Sequence, residues 1–288
     1  MSVTIHLLRE IASFHKHHSR TSDWWVETSK TLAQRIQESL SNGILDLELT
    51  PVGKLKVRQR NFGAISSAHL FGIDEFIIFA WYAVNREKYT KMLDLGGNIG
   101  VHSLVMSKLG FMVTAFEPDP IHIEYFEQTM RENNCSDVEL RSQAIGVSTQ
   151  RSSFTRVLGN TTGSHISGAK QDPYGDLEII EVQVEAIQKV LQEDFDFIKM
   201  DVEGLEAVLI ETLVPENFQK LEIMLEVGTS DNALKIFNQL DRLGINAFAQ
   251  KKAWSKVVSV EDLPTSHHEG SVLLTRSPQM NWFVKEEL

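Results

Sequence analysis

From Lys91 onward, short apolar runs alternate with helical stretches along the rest of the chain. This alternation is typical of βαβ units, whose strands assemble into a mostly parallel sheet covered by helices on both faces. The predicted strands cover residues 91–95, 112–117, 138–142, 195–200, 221–227, 245–250 and 271–275. We therefore expect an α/β fold built on a doubly wound, mostly parallel, Rossmann-like sheet of seven strands.

The first 88 residues follow a different pattern. Ser22 can cap a helix, and residues 45–60 alternate like the two strands of a hairpin. A second helix is expected from about Asp74 to Lys88. The sequence thus predicts an N-terminal α+β extension over residues 1–88, which would contact the substrate or a second copy in a homo-oligomer, and a main domain over residues 89–288.

Composition limits the partners and the compartment of this chain. Hydrophobic residues make up 42% of 288, which is ordinary for a globular protein, and the formal net charge of −11 opposes binding to nucleic acid. A single cysteine, Cys135, excludes an internal disulfide and a multi-cysteine metal site. The first residues lack the positive region and the long apolar stretch of a signal peptide, and no run reaches about 20 apolar residues, so we expect a cytoplasmic protein that does not bind a membrane.

The segment LDLGGNIG is the strongest local signal for a ligand site, because an apolar strand runs into glycines and then into a helix. A dinucleotide-binding fingerprint would need glycines where Asn98 and Val101 stand. S-adenosylmethionine carries no phosphate, so the looser spacing of Asp94, Gly96 and Gly100 suffices for its methionine end. The pattern therefore favours S-adenosylmethionine as the cofactor.

Two later strand ends complete the predicted cofactor pocket. Glu117 stands at the tip of the second strand, 21 residues after Gly96, where an acidic residue commonly binds ribose hydroxyls. The third strand would bring Gln143 and Ala144 to the adenine side of the pocket, although an ordinary strand end explains these two residues equally well.

Asp201 and Glu203 emerge together at the carboxyl end of the fourth strand. They are candidates for the catalytic base, although Glu203 could instead cap the helix that follows. His165 is a further candidate base, because it lies in the polar, Gly-rich stretch 159–176, which we expect to be a surface loop or lid. Alternatively, Asp201, Glu203 and Glu226 could hold one Mg²⁺ that acidifies a hydroxyl group.

Four segments, taken in order and spacing, resemble the FkbM-type S-adenosylmethionine-dependent methyltransferases: LDLGGNIGVHSL, FEPDP, AIG and DFIKMDVEGLEAVL. The resemblance covers roughly residues 90–230. It implies the class I methyltransferase sheet and O-methylation of a hydroxyl on a small molecule or sugar. It also assigns Asp201 and Glu203 to the neighbourhood of the transferring methyl group. The cofactor contacts that it implies are Asp94, Gly96, Asn98, Gly100 and Glu117, and we also expect Gly97 and Asp201 to contact the cofactor.

Two other functional classes compete with this hypothesis. A nicotinamide-dependent oxidoreductase could use a similar sheet, but the missing glycines at positions 98 and 101 count against it. A non-catalytic, methyltransferase-like domain could hold a partner through its N-terminal helices and through Trp24 and Trp25. The sequence does not identify the acceptor molecule.

Overall fold

The computed structural model describes residues 3–5, 7–170, 173 and 175–282. Its strands are β1 (Val3–Ile5), β2 (Leu40–Ser41), β3 (Ile44–Leu49), β4 (Gly53–Arg58), β5 (Lys91–Leu95), β6 (Met112–Phe116), β7 (Val138–Arg141), β8 (Ala144–Gly146), β9 (Gln150–Val157), β10 (His165–Ile166), β11 (Leu177–Ala186), β12 (Phe197–Met200), β13 (Glu222–Glu226), β14 (Asn246–Ala249), β15 (Ser255–Lys256) and β16 (Ser271–Thr275). Its α-helices are α1 (Leu7–Ser13), α2 (Asp23–Ser39), α3 (Ile73–Val84), α4 (Val101–Lys108), α5 (Pro120–Glu132), α6 (Ile187–Val190), α7 (Glu206–Thr212) and α8 (Ser230–Leu243). Within these residues, no helix has both the length and the apolarity needed to cross a membrane.

The seven predicted strands all belong to one sheet, in the order β14-β16-β13-β12-β5-β6-β7, and the short β15 pairs with β14 at one edge. Of these seven strands, β16 alone points in the direction opposite to the other six. The predicted doubly wound sheet is therefore confirmed. Because the chain builds outward from β5 to β6 and β7 and then returns to β12, the strand order reverses between β5 and β12, where such sheets bind their ligands.

Alternating side chains of the central strands pack on opposite faces of this sheet. Met92 of β5 and Phe197 of β12 lie in one apolar core, and Leu93 and Ile198, each one residue later, lie in the other. This alternation follows from the two-residue period of a strand. The result is a three-layer arrangement in which the site lies at the strand ends rather than inside either core.

The N-terminal residues form the predicted helices and hairpin. The Ser22 hydroxyl accepts a hydrogen bond from the Trp25 N–H (3.1 Å) at the start of α2, and β3 and β4 pair in antiparallel fashion. Helix α3 ends at Val84, four residues earlier than expected. Its apolar residues, including Phe76, share a core with Met92 of the main sheet. The boundary near residue 88 stays a prediction.

The sequence did not predict a small four-stranded sheet that is separate from both the main sheet and the N-terminal sheet of β1 to β4. Strands β9 and β11 form a long antiparallel pair in it, flanked by β10 on one side and β8 on the other. The alternation of LEIIEVQVEA, residues 177–186, is the signal that could have predicted β11. Part of the stretch 159–176 is therefore ordered in β10, while residues 171, 172 and 174 lie outside the described part of the chain.

The N-terminal extension contacts the beginning of this stretch directly. The Ala64 N–H donates to the Gly159 C=O (2.7 Å), and the Thr161 N–H donates to the Phe62 C=O (2.9 Å). Gly63 has a positive φ of 100°, and a Cβ at this position would overlap the Gly159 carbonyl oxygen. The extension is thereby joined to a segment that borders the site described next.

Candidate active site

A cavity opens at the carboxyl ends of the strands, beside the point where the strand order reverses. Turns after β5, β6 and β12 form one side, and the small sheet forms the other. Seven of the predicted site residues line this cavity: Gly96, Asn98, Glu117, Gln143, Ala144, Asp201 and Glu203. The other predicted site residues lie outside its lining: Asp94, Gly97, Gly100, His165 and Glu226.

The turn after β5 is held by its backbone. The N–H groups of Gly96 and Gly97 both donate to the Phe116 C=O, at 3.1 and 2.9 Å. Gly96 has a φ of 81°, and a Cβ there would overlap the carbonyl oxygen of Asp201. Glycine is thus required at position 96, because the turns after β5 and β12 are in backbone contact.

Three residues of the glycine segment support the turn without facing the cavity. Gly97 and Gly100 pack against the Phe126 ring of α5, which a Cβ at either position would approach within about 3.0 Å. Asp94 is completely buried, and one of its carboxylate oxygens accepts a hydrogen bond from the Ser103 hydroxyl (2.6 Å). In the structure these three residues therefore contact neighbouring side chains and support the turn.

Glu117 is buried at the tip of β6, and its two carboxylate oxygens face backbone donors. One accepts from the Asn98 N–H (2.7 Å) and the other from the Asp119 N–H (2.8 Å). Burial raises the pKa of Glu117 to about 8, although these two hydrogen bonds act in the opposite direction. Each oxygen keeps a further lone pair, so the carboxylate can still accept two hydroxyl donors.

The opposite side of the cavity combines apolar side chains with neutral polar ones. Ala144 and Ile145 of β8 face it, together with Phe154 of β9. His122 also lines it and is hydrogen bonded to the Thr161 hydroxyl (2.9 Å). Burial lowers the pKa of His122 to about 4, so the imidazole is neutral near pH 7. This side suits a flat aromatic ring better than a charged group.

Asp201 lies directly after β12, and a buried lysine holds its carboxylate. The Nζ of Lys199 is 3.3 Å from Asp201 Oδ2, 3.9 Å from Asp94 Oδ1 and 3.4 Å from the Gly96 carbonyl oxygen. The ammonium group of Lys199 therefore links the glycine turn after β5 to the turn that carries Asp201.

Glu203 occupies the same turn with a positive φ of 57°, which is uncommon for a residue other than glycine. Its carboxylate forms an ion pair with Lys170, which comes from the stretch 159–176. Burial and the nearby charge of Asp201 raise the pKa of Glu203 to about 7, against the effect of Lys170.

Helix capping does not explain Glu203. The carboxylate of Glu206 accepts the N–H groups of Val202 (2.9 Å) and Gly204 (3.0 Å) at the start of α7. The turn is thus closed by Glu206, a residue that the sequence reading did not single out. Glu203 is left with its side chain facing the cavity and Lys170.

The two remaining candidates are placed differently. His165 is buried in β10, where its Nδ1 lies 3.0 Å from the Gly163 carbonyl oxygen, so its ring contacts the turn that precedes this strand. Burial and repulsion by Asp201 raise the pKa of Glu226 at the end of β13. In the part of the chain that the structure describes, no three His, Cys, Asp or Glu side chains are grouped so that they could hold a metal ion.

Sequence reasoning missed the two lysines at this site, for different reasons. Lys199 precedes Asp201 by two residues on one strand, and the two-residue period of a strand would have placed both side chains on one face. Lys170 has no such signal, because it reaches Glu203 from a segment without periodicity.

The methyltransferase FkbM domain matches residues 94–243, which is more than half of the 288-residue chain. No curated protein matches the chain at a significant level. An S-adenosylmethionine-dependent methyltransferase of Agrobacterium tumefaciens is 13% identical, with a TM-score of 0.42, over 82% of this chain and 70% of that one. A precorrin-6y methyltransferase of Geobacter metallireducens is 13% identical, with a TM-score of 0.37, over 67% and 82%.

Proposed function

Because the chain belongs to the FkbM methyltransferase family, we propose that it transfers the methyl group of S-adenosylmethionine to a hydroxyl oxygen of a small molecule or carbohydrate. One observation carries this proposal. A single cavity is lined by the glycine turn, by a buried acid suited to a ribose diol, and by two carboxylates beside that turn.

The residues of the cavity fit the cofactor. Glu117 would accept the two ribose hydroxyls, and the apolar side chains of Ala144 and Phe154 would contact the adenine ring. The methionine end would lie over the Gly96 turn. There, the side-chain oxygen of Asn98 is buried and has no protein partner, so it can accept a hydrogen bond from the cofactor.

The chain's own contribution to the reaction is alignment and removal of a proton. When bound, S-adenosylmethionine supplies a methyl group on a positively charged sulfonium. Glu203 accepts the proton of the acceptor hydroxyl as the new O–CH₃ bond forms and the S–CH₃ bond breaks. A pKa of about 7 suits a base that works near neutral pH. Holding both reactants in line can lower the barrier by roughly 7–11 kcal/mol.

Calorimetry tests the proposed cofactor. We expect S-adenosylhomocysteine to bind with micromolar affinity and NAD to bind much more weakly, because Asn98 and Val101 replace two of the glycines that a pyrophosphate requires. A screen of sugar and natural-product alcohols with labelled S-adenosylmethionine then identifies the acceptor. Preference for NAD would support the oxidoreductase alternative. Tight cofactor binding without transfer to any alcohol would support the non-catalytic alternative.

Glu117 provides a second test, based on pH. Its raised pKa means that the carboxylate, which accepts both ribose hydroxyls, is fully formed only above about pH 8. Affinity for S-adenosylhomocysteine should therefore increase from pH 6 to pH 9. Glu117→Gln should lose this dependence and weaken binding at pH 9 by about 1.5–3 kcal/mol. An unchanged affinity in this variant would contradict the ribose contact.

The same group makes a prediction about folding. The folded protein keeps the Glu117 proton up to about pH 8, whereas the unfolded chain releases it near its ordinary pKa of 4.5. The contribution of Glu117 to stability should therefore decrease as pH rises between these values. Relative to Glu117→Gln, the ligand-free native protein should lose stability across this range in urea unfolding.

A further inference from the structure

The charges that face the cavity are unevenly distributed. The carboxylates of Asp201 and Glu203 line it, together with the carboxyl group of Glu117, which keeps its proton up to about pH 8, whereas its described lining contains no lysine or arginine. The only histidine in this lining is His122, which is neutral because burial lowers its pKa to about 4. A ligand in the cavity therefore meets negative charge before any positive charge.

The neighbouring cations are paired with the carboxylates and are absent from the described cavity lining. Lys199 is buried, and its Nζ is directed to Asp201, Asp94 and the Gly96 carbonyl oxygen. Lys170 is paired with Glu203. Both lysines hold their carboxylates in place without lining the cavity themselves. The cavity thus keeps a negative surface where the turns after β5 and β12 meet.

We infer that Asp201 and Glu203 are specificity-determining residues that make this cavity bind the cationic methyl donor more tightly than the neutral product. The inference rests on the proposed function. Methyl transfer converts the sulfonium, with one positive charge, into an uncharged thioether, and the hydroxyl proton passes to Glu203. The reaction therefore removes the attraction between the carboxylates and the sulfur. As a result, S-adenosylhomocysteine is released and competes only weakly with the next molecule of S-adenosylmethionine.

The physical basis is the distance dependence of charge interactions at a partly enclosed site. A carboxylate a few ångströms from a cation is attracted far more strongly there than in bulk water, whereas an uncharged sulfur gains nothing comparable. Shape contacts with adenine, ribose and the methionine end are the same for both ligands. The ratio of their affinities therefore isolates the contribution of charge.

The experiment compares two stable ligands by calorimetry at pH 8. One is S-adenosylhomocysteine, and the other is sinefungin, in which a carbon bearing a protonated amine replaces the sulfonium. We expect the native protein to bind sinefungin at least about tenfold more tightly. Asp201→Asn and Glu203→Gln should each reduce this ratio by about tenfold, and Lys170→Met should increase it. Glu132→Gln, which removes a carboxylate outside this cavity lining, should leave the ratio unchanged.

The outcomes separate the inference from the proposed function. Binding of neither ligand to the native protein would contradict the proposed cofactor. Equal affinities for the two ligands, or a ratio unaltered by Asp201→Asn and Glu203→Gln, would overturn the inference and leave the cofactor site intact. A variant that weakens both ligands equally has a structural effect only, so that result also overturns it.

Discussion

Glu203→Gln is expected to lower the rate of methyl transfer by about 10²–10⁴-fold, the range typical for loss of a general base. The substitution keeps the shape of the side chain but removes its ability to take the hydroxyl proton. Single-turnover measurement with the acceptor found in the alcohol screen gives this rate directly. Affinity for S-adenosylhomocysteine should change little, because that ligand carries no charge at the sulfur.

A matched control comes from the adjoining helix. Glu211 is exposed on α7, so Glu211→Gln removes one carboxylate from the same region without touching the cavity, and its rate should equal that of the native protein. The fold of Glu203→Gln should also survive, since Glu206 and not Glu203 closes the turn. A fully active Glu203→Gln enzyme would exclude Glu203 as the base.

The same assay decides between direct proton removal and a metal ion. Full activity in the presence of chelator supports direct removal by Glu203. If chelator abolishes activity and Mg²⁺ restores it, direct removal by Glu203 is excluded. Asp201→Asn and Glu226→Gln then test whether these two residues hold the ion, by losing the response to Mg²⁺.

Gly96→Ala should abolish measurable cofactor binding, with affinity for S-adenosylhomocysteine falling by more than about 100-fold. The added Cβ would overlap the Asp201 carbonyl oxygen. Because this contact joins the backbones of the two turns, neither turn can move away without the other. The positive φ of 81° adds a cost of about 1–2 kcal/mol. Calorimetry measures the loss of binding, and urea unfolding measures the loss of stability.

Gly110→Ala isolates the contribution of backbone conformation. Gly110 has a similar φ of 93°, but no atom lies within 4 Å of a Cβ built there. It should therefore lose only the stability expected from its φ and should bind S-adenosylhomocysteine like the native protein. If Gly96→Ala and Gly110→Ala changed cofactor affinity and stability equally, the close contact between the two turns would not explain the effect of Gly96→Ala.

Local patterns predicted the sheet and much of the cavity. The alternation of apolar runs and helices indicated parallel strands, and parallel strands bring their carboxyl ends to one edge. Gly96, Glu117 and Asp201 each directly follow or end a predicted strand, so the topology alone brings them together. The same reasoning put His165 in a loop, whereas the structure has it in a short strand, because a histidine in a polar stretch gives no sign that a strand will bury it.

The sequence by itself determined the doubly wound sheet, the glycine turn and the acids at the strand ends, because each depends on residues that are near one another in the chain. Only the tertiary structure decided the pairing of Lys170 with Glu203, and the contact of Gly63 with Gly159. These contacts join segments that lack periodicity and are separated by many residues. Their partners are therefore set by the paths of the loops over the folded sheet, which no local pattern specifies.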